Sequence, residues 1–404
     1  MMRNFEGWVA AAEAMQPQTV ALRRAIHREP ELGLDTPRTI AKVKQALHGL
    51  PLQWKEGRSS SGLVAVLEGA SPGRTVLLRG DMDALPMPED TPLDFRSALD
   101  GAMHACGHDA HTAMLVSAAK MLCARREHIA GRVLFMFQPG EEGHHGARFM
   151  IEDGLLDNPK PDAAFALHVI PNVATGHFTG RSGPALASDD TFQVVLRGKG
   201  GHASTPSLAI DPIPVACEIV LALQSLITRR VDVFDPVVVT IAELRAGTAH
   251  NVIPETAYLA GTIRALSEEA RGFVGEKVRR VIEAIAAAHD CTAEIEILAG
   301  YPVTLNDARV IALAERVITQ TFGPASWTTA AAPVMGAEDF SYVLQRVPGA
   351  MIFLGVCPEG QDHRFACPCH SNKMMLSEAA LARGVAAHCA VAEAFLIDGF
   401  DHAS

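Results

Sequence analysis

Four segments of this 404-residue chain put metal-capable side chains directly after apolar runs or at helix starts. They are RGDMDALP (79–86), MHACGHDAH (103–111), QPGEEG (138–143) and ALHV (166–169); a fifth, CPCHS (367–371), lies far downstream. In MHACGHDAH the Cys106 thiol and the His108 imidazole stand two apart, and Gly107 between them gives the backbone freedom to aim both at one ion. A closed, thiolate-rich structural zinc site is the competing reading. It requires a second Cys/His pair at short spacing, which Cys367, Cys369 and His370 supply.

Glu141 and Glu142 follow the apolar run VLFMF, so they emerge at the carboxyl end of a strand. Adjacent carboxylates repel unless a cation lies between them. With a metal present, one coordinates and the other is left to take a proton from a water acidified by the ion. Elsewhere an EE pair reads as solvated surface, and here the strand and the Cys/His company point to function. His168 closes the apolar stretch AAFALHV, where a lone histidine would read as a core residue. Taken together, Cys106, His108, Glu142, His168 and His370 are five donors, a set that suits two ions better than one. Asp81, Asp83 and Asp109 are candidates to accept a ligand imidazole's second N–H, and spacing leaves open which of them does so.

The elements that must hold these groups alternate in the first half. Residues 63–67, 75–78 and 133–137 read as strands and 112–122 as a buried helix, which implies an α/β sheet with mostly parallel strands. After SGPALAS (182–188) the rhythm changes. The strand TFQVVLRG, a helix over 212–229, the strands VVVTIAEL and TAYLAGTIRAL, a charged amphipathic helix over 268–288 and the strand TAEIEILAG follow in the order β-α-β-β-α-β, a ferredoxin-like pattern. The reading is therefore a metal-bearing α/β domain over 1–186 and 300–404, interrupted by an inserted domain over 187–299.

Bulk properties narrow the partners. With 48% hydrophobic and 20% charged residues, and apolar runs broken before the roughly 18 residues of a span, no membrane segment is expected. The start carries Glu6 and Glu13 and reads as an amphipathic helix rather than a secretory signal. A net charge of -11 argues against nucleic acid and anionic membrane surfaces and leaves a small-molecule substrate. Eight scattered cysteines suggest reduced thiols and a cytoplasmic location. Cys123, Cys217, Cys291 and Cys389 lie in apolar, mostly helical stretches and read as core.

The segments MHACGHDAH, QPGEEG, GKGGHAS, HNVIPE, GTIRAL and MGAEDF, in this order, resemble the metal-dependent aminoacylase/hippurate hydrolase branch of the metallopeptidases, which includes the plant indole-acetyl-amino acid amidohydrolases. The resemblance runs from HREPELG (27–33) to the CHS around His370 and is specific for family, not for substrate. It implies Cys106, His108, Glu142, His168 and His370 as ligands of two divalent ions (zinc, manganese, cobalt or nickel) and Glu141 as general base. It also implies that the insertion is a lid that forms a homodimer or higher homo-oligomer, with His202 stabilising an oxyanion and Asn251 and Arg264 holding the substrate. Two features depart from the family pattern. His144 and His145 follow EEG where small residues are usual, which could narrow the pocket or add a ligand. Cys367 and Cys369 crowd His370, which could favour zinc or make the site sensitive to oxidation.

The expected reaction is hydrolysis of an N-acyl amino acid (acetyl, benzoyl or indole-acetyl type) to a carboxylic acid and a free amino acid. The alternatives are a dipeptidase or carboxypeptidase on the same scaffold, and a non-catalytic metal or redox sensor built on Cys106, Cys367 and Cys369.

Overall fold

A computed structural model describes residues 5–400, so residues 1–4 and 401–404 of the expected first domain lie outside it. The fold is mixed α/β. The chain divides into two compact units, one of Met1–Ala185, Leu305–Ala332 and Asp339–Ser404 and one of Leu186–Thr304 and Pro333–Glu338. The sequence reading left 333–338 in the first domain. It belongs with the second because the N–H of Ala187 bonds the carbonyls of Val334 and Gly336 at 3.1 and 2.9 Å, a backbone pairing that hydrophobic pattern does not reveal.

The first unit begins with helices α1 (Glu6–His27) and α2 (Pro37–Ala46), then strands β1 (Leu52–Glu56), β2 (Leu63–Glu68) and β3 (Ser71–Asp81). Helix α3 (His108–Ala124), β4 (Ala130–Gln138), α4 (Gly146–Glu152), β5 (Ala163–Ile170), β6 (Phe178–Gly180) and β7 (Gly183–Leu186) follow. The second unit contains β8 (Asp190–Arg197), β9 (Gly201–His202), α5 (Pro212–Arg230), β10 (Val237–Ala246), β11 (Val252–Ile253), β12 (Thr256–Ala265), α6 (Glu268–Ala288) and β13 (Thr292–Leu298). Then come β14 (Thr304–Asn306), α7 (Ala308–Phe322), β15 (Trp327–Thr329), α8 (Ser341–Leu344), β16 (Gly349–Gly355) and α9 (Leu381–Asp398).

The large sheet has the order β1-β2-β4-β3-β5-β16-β6-β15. Its centre, β4-β3-β5-β16, is parallel, while β1 with β2, β2 with β4 and β16 with β6 pair antiparallel. The sheet is thus mixed rather than mostly parallel at its edges. The short β1–β2 link is too brief for a crossover and forces antiparallel pairing. The central strands are apolar on both faces, as parallel strands covered on both sides must be. Register sets the height of the site. Asp81 pairs with Gln138 and Arg79 with Ala166, so β3 and β4 end level with one another and with His168 near the end of β5.

Helix α3 is buried throughout except Lys120 and Ala124, packing with α1 and α9 over β3. Helices α5 and α9 are long and apolar enough to cross a membrane by length and composition. Helix α9 lies mostly within the first unit's core, whereas α5 puts only one face, with Val215, Ala216, Ile219 and Leu223, into the second's and leaves the rest of its length partly or fully exposed.

In the second unit β10-β12-β8-β13 form an antiparallel sheet with alternating burial, against which α5 and α6 pack. This is the split βαβ order that the alternating strands implied. Asp211 caps α5 by accepting the Ile213 N–H at 2.9 Å, with Pro212 at the first helical position, and Ser267 caps α6 through the Ala270 N–H at 3.0 Å.

Candidate metal centre

Beyond the ends of β3, β4 and β5 the five donors named from the sequence converge. Cys106 Sγ lies 3.5 Å from His168 Nε2, and His370 Nε2 lies 3.2 Å from Glu142 Oε1. Two triads result, Cys106/His108/His168 and Cys106/Glu142/His370, each with its donor atoms within 4.8 Å of one another and with Cys106 common to both. Glu141 forms a further group with His108 and Glu142, its Oε2 4.0 Å from His108 Nε2, and is itself buried.

Local backbone conformation aims these groups. Gly107 sits at φ 84° immediately before α3, turning the chain so that Cys106 and His108 face the same space. A Cβ there would come within 2.3 Å of Val169 Cγ2, so glycine is required twice over. Gly140, at φ 68°, turns the chain after β4 and delivers Glu141 and Glu142. His370 takes φ 67° while its N–H bonds the Ala105 carbonyl at 2.8 Å, which anchors this downstream candidate ligand beside the upstream ones.

The ligand tautomers follow from their other hydrogen bonds. His108 Nδ1 donates to the Asp83 carbonyl at 2.8 Å and His168 Nδ1 to the Val169 carbonyl at 2.7 Å, leaving each Nε2 as the donor for a metal. His108 Nε2 is buried and makes no hydrogen bond among the described residues, the condition of an atom reserved for a cation.

Electrostatics agree. A hydrogen bond with Cys369, burial and the charges of Glu142 and Glu141 hold the Cys106 thiol well above its ordinary pKa. Burial pulls His108 down, but Asp81, Asp83 and Glu142 outweigh it and leave its pKa well above the usual value. Burial and the nearby His111 push His168 well below. Without a cation the Cys106 thiol and His108 hold their protons more tightly beside the carboxylates while His168 holds its proton less, and a divalent ion displaces protons from such donors. The residues present therefore fit a two-ion centre of mixed Cys, His and Glu donors.

The supporting carboxylates differ in part from expectation. Asp83 does serve the site: its backbone accepts from His108, and its Oδ2 accepts the Glu142 N–H at 2.9 Å. Asp109 turns away and accepts Arg23 Nε at 2.7 Å and His27 Nδ1 at 2.8 Å, because one step along a helix rotates a side chain by about 100°. It ties α3 to α1 instead of orienting a ligand. His145 is engaged with the Tyr342 hydroxyl at 2.9 Å, and the His144 ring covers Gly33, so both shape the loop after Glu142.

Sequence reasoning missed His111, Arg79, Gln138 and Asp339. His111 bonds Asp81 Oδ1 at 2.6 Å, and Arg79 Nε donates to Gln138 Oε1 at 2.9 Å. Asp339 accepts from Gln138 Nε2 and, at 2.9 Å, from the Ala147 N–H at the start of α4. The i, i+3 spacing of His108 and His111 was a visible signal; the Asp339 link had none.

Within the second unit, Asn251 lies beside His202, its carbonyl accepting the Ala203 N–H at 3.1 Å next to the His202–Val252 pairing. His202 is exposed, and its Nδ1 accepts the Ser204 N–H at 3.0 Å, so its proton resides on Nε2. Arg264 sits apart from that pair, its Nη2 3.1 Å from Asp189 Oδ1.

Comparison with known proteins agrees with this geometry. Residues 77–394 match the model of peptidase family M20/M25/M40. Thermostable carboxypeptidase 1 of Saccharolobus solfataricus is 36% identical over 398 residues, covering 98% of this chain and 97% of the relative. An IAA-amino acid hydrolase of Arabidopsis thaliana is 36% identical over 383 residues, 93% of this chain and 85% of the relative. The crystal structure of a Bacillus subtilis protein described as a dinuclear metal-binding peptidase from the M20 family superposes with a TM-score of 0.80 at 33% identity, over 94% of this chain and 98% of that one. With the family match spanning most of the chain and relatives this similar along nearly all of it, the chain belongs to peptidase family M20/M25/M40.

Proposed function

We propose that the chain hydrolyses the amide bond of N-acyl amino acids, releasing a carboxylic acid and a free amino acid. The observation that carries this is the division of the two glutamates at one strand end: Glu142 joins a triad with Cys106 and His370, while the buried Glu141 belongs to neither triad built on Cys106. A closed structural or sensing site has no use for that second carboxylate.

Two divalent cations, when bound by Cys106, His108, Glu142, His168 and His370, supply the charge that acidifies a water and polarises the acyl carbonyl. Glu141 takes the water's proton and returns it to the leaving nitrogen as the amide bond breaks. His202, with its proton on Nε2, is a hydrogen-bond donor of the kind that an oxyanion requires. Asn251 and Arg264 are assigned to the substrate, the guanidinium fork matching an amino-acid carboxylate. Mixed donors of this kind accept zinc, manganese, cobalt or nickel.

The similarity to a carboxypeptidase supports a second reading in which the acyl group is itself a peptide. Both readings share a leaving amino acid with a free carboxylate. Exposed Leu221, Val233 and Phe234 favour a homodimer formed through the second unit, and eight free cysteines favour the reducing cytoplasm.

The test is amino-acid release from N-acetyl, N-benzoyl and indole-acetyl amino acids and from dipeptides, with zinc, manganese or cobalt added and Glu141→Gln as blank. Metal-dependent release from an acyl class, absent in the blank, is the expected result. Release confined to dipeptides favours the peptidase, and no release by metal-loaded protein overturns both.

A further inference from the structure

We propose that Cys106 and Cys369 form a reversible disulfide on exposure to hydrogen peroxide, and that this bond disarms the centre by removing the thiolate shared by both ligand triads. The disulfide rests on the placement of two thiols; its consequence for metal rests on the ligand assignment above.

The placement is specific. The His370 N–H to Ala105 carbonyl bond, 2.8 Å, sets the peptide unit between Ala105 and Cys106 against the one between Cys369 and His370. The Cα atoms of the two cysteines flank that single backbone bond, which keeps them close enough for the window of roughly 4.4–6.8 Å that a disulfide spans. Both also face the end of β5, Cys106 Sγ at 3.5 Å from His168 Nε2 and Cys369 Sγ at 3.9 Å from the Val169 carbonyl.

The other thiols are placed differently: Cys217, read from the sequence as core, is exposed on α5 because it falls on the outward face of that helix. Cys123 and Cys389 are buried in α3 and α9, Cys291 is buried in the second unit, and the Cys357 thiol faces the Pro358 and Gln361 carbonyls. Cys369 is half-buried between exposed Pro368 and His370, so a molecule as small as a peroxide reaches it.

The chemistry balances. Cys369 Sγ attacks one oxygen of hydrogen peroxide and the O–O bond breaks. The thiol proton leaves with the departing hydroxide as water; sulfur is oxidised to a sulfenic acid while the peroxide is reduced. Cys106 Sγ then attacks that sulfur, the S–O bond breaks, and the hydroxyl departs with the Cys106 proton as a second water.

The experiment treats chelator-stripped full-length protein with hydrogen peroxide, then maps disulfides by mass spectrometry and titrates zinc by calorimetry. The expected result is a loss of about two thiols per chain, a peptide pair linking Cys106 to Cys369, and zinc affinity reduced at least roughly tenfold, all reversed by dithiothreitol. Cys367→Ser forms the same link. Cys369→Ser forms none and still binds zinc after the same treatment.

A link through Cys367, or equal loss of zinc binding by Cys369→Ser and wild type, overturns the proposal. A Cys106–Cys369 link that leaves zinc binding unchanged also overturns it, and with it the ligand role of Cys106. Hydrolysis is not a readout, so a wrong substrate class does not alter any of these outcomes.

Discussion

The N–H of Val169 donates to His111 Nε2 at 2.8 Å, and His111 Nδ1 passes its proton toward Asp81 Oδ1 at 2.6 Å. Burial, aided by His108 and Arg79, pulls the His111 pKa down against Asp81, so the ring is neutral and both nitrogens are committed. His111 stands against the His168 ring, centroids 4.6 Å apart, and holds the strand end that carries this candidate ligand. His111→Phe leaves the Val169 N–H and the Asp81 carboxylate short of a partner, at a cost of about 1–3 kcal/mol for each. Metal affinity is expected to fall about 10–100-fold. Calorimetry with zinc beside a urea titration checks this; unchanged affinity would show that His111 does not orient the site.

Cys106, His108, Glu142 and His168 were legible because their segments follow an apolar run or open a helix, so a short motif reports both residue type and position, whereas His370 lies in a turn far downstream and was assigned as a ligand through the family resemblance. What they rest on was less legible. Asp109 is adjacent to His108 in sequence, yet helix rotation sends it to Arg23 and His27. Asp339 supports Gln138 across 201 residues of chain, a contact that depends on how α4 and α8 pack and leaves no mark in local spacing. The inserted sheet was readable from its period-two alternation, whereas the return of 333–338 to it depends on two backbone hydrogen bonds that any sequence makes equally well.

Glu141 and Glu142 are expected to fail differently. Glu141→Gln keeps two metal ions per chain and loses turnover by about 100-fold or more, since it removes the proton carrier. Glu142→Gln loses metal first, because its carboxylate faces His370 and its N–H is already fixed by Asp83. Metal content of the dialysed variants beside single-substrate kinetics separates them. Near-normal turnover in Glu141→Gln would falsify the general-base assignment.

Gly107 carries two demands that a double substitution separates. Gly107→Ala must hold φ 84° with a Cβ 2.3 Å from Val169 Cγ2, so a loss of about 2–4 kcal/mol is expected from the strained dihedral and the overlap together. Adding Val169→Ala removes the overlap and leaves the dihedral, so the double variant is expected to lie between Gly107→Ala and Val169→Ala summed and wild type. Strictly additive unfolding energies would mean the two residues do not press on each other.

The pH dependence of stability has a contributor away from the ligands. Burial pulls His27 down, but the carboxylates of Asp109 and Glu89, 2.8 and 3.1 Å from its nitrogens, outweigh it and raise its pKa to about 8. The folded chain therefore holds this proton more tightly than the unfolded chain, whose histidine titrates near 6.5. The sign follows: stabilisation is complete below about pH 6.5, fades as pH rises, and is gone above about 8. The shift corresponds to about 2 kcal/mol for this buried group. Urea midpoints with chelator present, at pH 6 and pH 9, compare wild type with His27→Gln. Wild type is expected to lose about 2 kcal/mol more than the variant over that interval, a difference that cancels the titration of other groups. An equal loss in both would place the His27 proton outside the folding equilibrium and leave Arg23 to hold Asp109 alone.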